Sequence, residues 1–286
     1  MKTNTPVKPP IMGVTGPTLF RGQEMPGIPQ TRPSQSDRPM KLRNLFKTTI
    51  LGKPGLRART IPFGLLRGLN FHTDTSRDSM RLLGLYEREI TASLGAFAKL
   101  ANCALDIGAD DGWYTLYFAS RANISRVYAF EPCTASQEKL LLNLEINRQE
   151  YRDKINLVRK AVGPTSDELH CSIDEAYPCL PSPLLIKIDV DGAELSVLRG
   201  AQRTLEQGCT FLVVETHSQQ LEQACIDYVA RLGYQTQVVR SGWYRCLLPE
   251  TRPVPHNRWF VARRPPEDFP PPALEDGQVG IRDSRA

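Results

Sequence analysis

From Cys103 to Arg264, short apolar runs alternate with stretches of helical periodicity, and that alternation limits the chain to very few folds. Candidate strands are Ala104–Ile107, Val127–Phe130, Ile155–Arg159, Leu184–Asp189, Phe211–Val214, Gln235–Val239 and Trp259–Arg263. Between them the pattern predicts helices over Trp113–Arg121, Ser136–Asn147, Ala193–Glu206 and Gln219–Leu232. Strand–helix alternation implies a mostly parallel sheet with right-handed crossovers and helices on both faces. The last two strands have no helix between them and are expected to pair antiparallel. The fold class is therefore α/β, a Rossmann-like seven-stranded sheet. A further helix is predicted over Asp78–Leu100, where Leu82, Leu83, Tyr86, Ile90, Leu94 and Phe97 recur at helical spacing.

The flanks differ in composition. Eight prolines and few large apolar residues mark 1–40 as an expected disordered arm. Residues 265–286 read as a second disordered tail. Residues 41–94 read as a basic linker followed by the lead-in helix, and 95–264 as the main domain. Lys41, Arg43, Lys47, Lys53, Arg57 and Arg59 suit contact with phosphates or a membrane surface, or simply a solvated linker face. Across all 286 residues the net charge of +5 does not by itself imply nucleic acid. The seven cysteines are odd in number and lack C-x-x-C spacing, so neither a disulfide framework nor a zinc site is expected. The N-terminus has no apolar leader core, and no apolar run is long enough to span a bilayer. The expected location is cytoplasmic.

An open parallel sheet binds ligands beyond the carboxyl ends of its strands. Three strand ends here carry acids. The first is Leu105-Asp-Ile-Gly-Ala-Asp-Asp-Gly112-Trp-Tyr-Thr115. Gly108 is expected to permit close approach of a ligand, and Gly112 to open a helix. Dinucleotide binding calls for G-x-G-x-x-G, which is missing. Asp110 and Asp111 would repel a pyrophosphate but tolerate a sulfonium or an α-amino group. That sign favours S-adenosylmethionine over NAD, although N-capping aspartates on a plain turn give the same letters. The second is Val127-Tyr-Ala-Phe-Glu131-Pro, where Glu131 can accept both hydroxyls of an adenosine ribose.

The third is Leu184-Leu-Ile-Lys187-Ile-Asp189-Val-Asp191-Gly-Ala-Glu194. A lysine inside an apolar strand needs a partner, so Lys187 is expected to pair with Asp189 or another nearby acid. Asp191 and Glu194 have the spacing of a capping box, the main role expected of Glu194. Beyond the next strand, Glu215 and His217 should converge on Asp189 and Asp191. His217 or Asp189 is the candidate base. The same cluster suits a divalent cation less well than a base, and no metal ligand is assigned.

These blocks resemble the FkbM family of methyltransferases. The resembling segments are LDIGADDGWYT (105–115), VYAFEP (127–132), LLLNLEIN (140–147), IKIDVDGAELSVLRGA (186–201) and VVETHS (213–218), with weaker similarity at CSIDEAYP (171–178) and in the lead-in stretch 67–90. The resemblance implies a seven-stranded sheet with an antiparallel last strand. It implies S-adenosylmethionine contacts at Asp106, Gly108, Glu131 and Asp189, and O-methylation of a hydroxyl on a sugar, glycolipid or secondary metabolite. Ala109, Asp111, Gly112 and Tyr114 complete the donor-contact candidates; Asp189 and His217 are the catalytic candidates. Asp191 stands where many members carry Glu.

A nucleobase acceptor fits poorly. Exocyclic-amine methylases end this strand in Asn/Asp-Pro-Pro-aromatic, and cytosine-C5 enzymes in Pro-Cys; this chain has Asp189-Val-Asp-Gly. The expected partner is a small-molecule or glycan acceptor, with no nucleic acid. An NAD(P)-dependent oxidoreductase and a non-catalytic adenosyl-binding module are the competing classes. Gly163–Pro183 and Ser241–Asn257 are expected substrate-facing loops, and Trp243-Tyr244 suits stacking on a sugar or a hairpin contact.

Overall fold

The computed structural model describes residues 52–240 and 256–264. Seven strands form the central sheet. In chain order they are β3 (Cys103–Ile107), β4 (Arg126–Phe130), β5 (Ile155–Val158), β8 (Leu184–Ile188), β9 (Thr210–Thr216), β10 (Gln235–Val238) and β11 (Arg258–Arg264). Their spatial order is β10-β11-β9-β8-β3-β4-β5. The pairs β3·β4, β3·β8, β4·β5 and β8·β9 are parallel, whereas β11 lies antiparallel between β9 and β10. The expected class and the antiparallel end of the sheet are both present. Strand order reverses between β3 and β8, which puts the switch point where the acids converge.

The alternation along each strand divides the core in two. Ala104, Leu185, Phe211 and Val213 pack on one face with α2 (Arg88–Leu100), α3 (Trp113–Ala119) and α4 (Thr134–Glu145). Leu105, Ile107, Ile186, Ile188, Leu212 and Val214 pack on the other with α6 (Ile173–Ala176), α7 (Glu194–Gly200), α8 (Gln202–Gln207) and α9 (Gln219–Arg231). The period of two then puts Asp106, Lys187 and Glu215 on the first face, beneath α3.

The lead-in stretch differs from expectation. Instead of one helix over Asp78–Leu100, a short α1 (Ser79–Leu82) ends in a turn through Gly84 and Glu87 before α2 begins. Gly84 and Glu87 both have left-handed backbones, with φ of 67° and 45°, which no helix continues through. The described part of the expected linker contains a hairpin, β1 (Leu56–Thr60) with β2 (Asn70–Asp74). Ile61, Leu66 and Phe71 are fully buried in the same cluster as α3. Periodicity missed both because the strands are short and the turns break the helical register.

The helix expected over Ala193–Glu206 is likewise two helices, α7 and α8, meeting at Ala201. A side chain at Gly200 would lie 2.0 Å from the Gly163 carbonyl oxygen, beside the two-residue strand pair β6 (Ala161–Val162) and β7 (His170–Cys171). Six described cysteines are free thiols. Among the described residues, no helix is long and apolar enough to cross a membrane. The arm, the tail, the basic stretch up to Leu51 and Trp243-Tyr244 lie outside the described residues.

Candidate active site

The carboxyl ends of β3, β4, β8 and β9 meet at the switch point, and each carries an acid. Lys187 is the centre of charge. Its side chain is buried, and Nζ lies 3.5 Å from Asp106 and 3.4 Å from Asp189. It also donates to the Gly108 carbonyl at 3.0 Å and stands 5.1 Å from the centre of the Tyr114 ring. Burial alone would drive the ammonium to lose its proton. The carboxylates of Asp189, Asp106, Glu87 and Glu215 outweigh it and hold Lys187 above its ordinary value. The expected Lys187–Asp189 pair is therefore one part of a larger cluster.

Asp106 is fully buried and accepts from Thr115 Oγ1 at 2.6 Å. Burial pushes its carboxyl up, against the pull of Lys187 and Thr115. The carboxyl groups of Asp106 and Asp189 thus share one buried ammonium.

Glu131, at the tip of β4, is almost fully buried and held by backbone. Oε2 accepts from the Asp110 amide at 2.8 Å and Oε1 from the Cys133 amide at 2.8 Å. Both oxygens are thus fixed at the end of the strand beside β3. Ala109 is buried, with its amide and that of Gly108 on the Phe130 carbonyl.

Gly112 opens α3 as expected, and both glycines also admit close packing within the protein itself. A Cβ on Gly108 would lie 1.8 Å from the Asp189 carbonyl oxygen, and its φ is +76°. Within the fold, the close approach it permits is to the β8 turn. A Cβ on Gly112, at φ +87°, would meet Leu140 Cγ at 2.9 Å, so this glycine seats α4 against the loop. Asp111 pairs with Arg81, and the Tyr114 hydroxyl donates to Glu87 Oε2. Both therefore face the lead-in stretch.

His217 follows β9. Its Nδ1 lies 2.5 Å from Glu194 Oε1, while Nε2 lies 3.3 Å from Asp191 and 4.0 Å from Asp189. The Glu194 hydrogen bond raises the imidazole above its ordinary value; burial opposes this, and the charges of Glu194, Asp189 and Asp191 add to it. Glu194 does not form the expected capping box, since α7 has no side-chain cap. It is fully buried and orients His217, with a weak 3.3 Å bond from the Gly192 amide. Asp189, Glu215 and His217 bring one ligand atom each within 4.8 Å of one another, a spacing that fits a divalent cation. The Lys187 ammonium already supplies positive charge to Asp189 in that space. The sequence reading missed Arg81, Glu87 and the orienting role of Glu194. The first two carry no periodic signal, and Glu194 has the spacing of a cap.

Residues 172–236 match the family model described as the methyltransferase FkbM domain. This stretch of the chain is similar to that domain. The matched stretch holds Asp189, Asp191, Glu194, Glu215 and His217. No curated protein matches the chain. Among solved structures, the FkbM methyltransferase of Methylobacillus flagellatus KT is 18% identical, with a TM-score of 0.46, over 58% of this chain and 47% of that one. The chain thus spans about half the length of that relative. A precorrin-6y C5,15-methyltransferase from Geobacter metallireducens GS-15 is 14% identical, with a TM-score of 0.42, over 63% and 87% of the two chains. An rRNA methylase from Streptococcus thermophilus is 15% identical, with a TM-score of 0.41, over 63% and 98%.

Proposed function

We propose that this protein is an S-adenosylmethionine-dependent methyltransferase that methylates a hydroxyl of a small-molecule or glycan acceptor. One observation carries the reading. At the switch point the carboxyl groups of Asp106 and Asp189, from neighbouring strands, lie 3.5 and 3.4 Å from the buried Lys187 ammonium. Such an acid-rich cluster at neighbouring strand tips suits a donor with a sulfonium and an α-ammonium group. Glu131, with both oxygens fixed at the neighbouring strand tip, supports a ribose diol at the other end of that ligand.

When bound, S-adenosylmethionine supplies an electrophilic methyl group on a sulfonium, whose sulfur keeps the bonding pair as the methyl leaves. The protein's residues do the rest. An acceptor hydroxyl enters from the side of Asp189 and His217, in line with the methyl, and positioning supplies much of the rate. His217 Nε2 takes the hydroxyl proton as the new carbon–oxygen bond forms. Glu194 holds the Nδ1 side and stabilises the imidazolium that results, while Asp189 and Asp191 flank Nε2.

Calorimetry with S-adenosylhomocysteine, and with NADH as the control, tests the donor. Binding of the first and not the second is expected; the reverse would return the protein to the oxidoreductase class. Labelled methyl transfer to a panel of sugars and glycolipids then tests the acceptor. Unchanged turnover in both His217→Ala and Asp189→Ala would remove the base assignment.

A further inference from the structure

Residues 79–87 precede the central sheet in sequence, yet two of their side chains meet the segment that follows β3: Arg81 reaches Asp111 and Glu87 reaches Tyr114. Arg81 is the better defined. Its guanidinium carbon stands 5.6 Å from the ring centre of Phe71, 4.8 Å from that of Tyr86 and 4.9 Å from that of Trp113. Trp113 meets Phe71 and Tyr86 edge-on, with ring centres 5.1 and 5.9 Å away, so the three rings form one packed wall around the cation. The guanidinium pairs with Asp111 in this nearly closed space, where the two side chains are 12% and 16% exposed. Burial works against the charge on Arg81, and Asp111 more than restores it. Burial equally pushes the Asp111 carboxyl up, with Arg81 as the main force against it.

Asp111 lies in the loop that runs from Gly108 to Gly112. One residue earlier, Asp110 takes a left-handed backbone with φ of 43°, and its amide holds Glu131. A non-glycine residue stays in that region only where its surroundings hold it there. The surroundings here are traceable. Ser136 Oγ donates to Asp110 Oδ1 at 2.8 Å. Asn143 donates to the Asp111 carbonyl at 2.8 Å, and its own Oδ1 accepts from the His72 amide at 2.8 Å. Arg81 holds the Asp111 side chain. Two of the tethers on Asp111 therefore lead back to the lead-in stretch, one through β2 and one through α1.

We infer that Arg81 is a positioning residue for donor binding: through Asp111 it fixes the backbone at Asp110, whose amide holds Glu131 in place. The inference rests on the donor reading above. Lysine does not replace arginine in this setting, because the flat guanidinium fills the space among three rings as well as carrying charge.

The test uses the full chain and the variants Arg81→Met, Arg81→Lys and Arg81→Met/Asp111→Asn. It measures the dissociation constant of S-adenosylhomocysteine, the melting temperature and amide exchange across 108–131. Arg81→Met should weaken S-adenosylhomocysteine about tenfold, the scale of losing a supporting contact behind a binding group. The KM for the donor should rise more than kcat falls, and Arg81→Lys should recover only part of the loss. The double variant leaves no orphan charge, so its melting temperature should return towards wild type while the affinity stays low and the Asp110 amide exchanges faster. Recovery of affinity together with stability in the double variant would overturn the inference, since Arg81 would then be a purely structural residue. So would wild-type affinity and wild-type exchange in Arg81→Met. Failure of the wild-type protein to bind S-adenosylhomocysteine counts against the donor reading instead; the exchange at Asp110 still decides whether Arg81 fixes the loop.

Discussion

His217 Nδ1 and Glu194 Oε1 stand 2.5 Å apart, one on the end of β9 and the other at the start of α7, with Nε2 of the same ring turned to Asp189 and Asp191. A base works only in its unprotonated form. Glu194 raises His217 above its ordinary value of about 6.5, so kcat/KM should climb with pH through a limb higher than that. Glu194→Gln removes the main cause, and the limb should move to lower pH while the maximum rate falls. His217→Ala should cost about a hundredfold or more. A pH–rate profile checks both. An unmoved limb in Glu194→Gln would mean that another group takes the proton.

Lys187→Met leaves several carboxyl groups facing each other in a buried space. Breaking a buried ion pair from one side typically costs about 3–5 kcal/mol, and urea unfolding should show a loss of that order. Adding Asp106→Asn should recover part of it. A cost within the range of an ordinary surface substitution would mean that Lys187 is not the charge centre of the site.

Gly108→Ala and Gly112→Ala separate backbone from packing. The first demands a left-handed φ of +76° from alanine and puts Cβ against the Asp189 carbonyl, which cannot yield without moving the turn. The conformational cost alone is about 1–2 kcal/mol, and donor affinity should fall with it. The second meets the end of the Leu140 side chain, which can shift, so its effect on affinity should be smaller. Melting curves with and without S-adenosylhomocysteine rank the two. Equal effects would contradict the contacts described.

Chelation tests the other use of the acceptor-side cluster. Turnover after treatment with EDTA and removal of the chelator should match that of the untreated enzyme. Loss of activity restored by one divalent cation would assign Asp189, Glu215 and His217 to a metal centre, with the proton taken elsewhere.

The strand tips were legible because period and position there carry the chemistry. Asp106, Glu131, Asp189 and His217 each end an apolar run, and the parallel sheet brings such ends together. Lys187 stood out as a charge inside one. Other features were hidden for identifiable reasons. Arg81 and Glu87 act across the fold from a broken helix, where no pattern in the letters survives. Asp191 and Glu194 have the spacing of a capping box, and only the position of His217 shows the different use. Gly108 signalled a close approach, but a single chain does not say what approaches, and the neighbour proves to be the Asp189 carbonyl.

The three rings around Arg81 come from both sides of residue 95: Phe71 and Tyr86 before it, Trp113 after it. A shortened chain beginning at α2 would strip Trp113 of its two ring neighbours and leave Asp111 without its counter-ion. The sheet-bearing half of this molecule is therefore not a portable cassette, and a graft or truncation that starts at its first sheet strand would carry an unfinished wall.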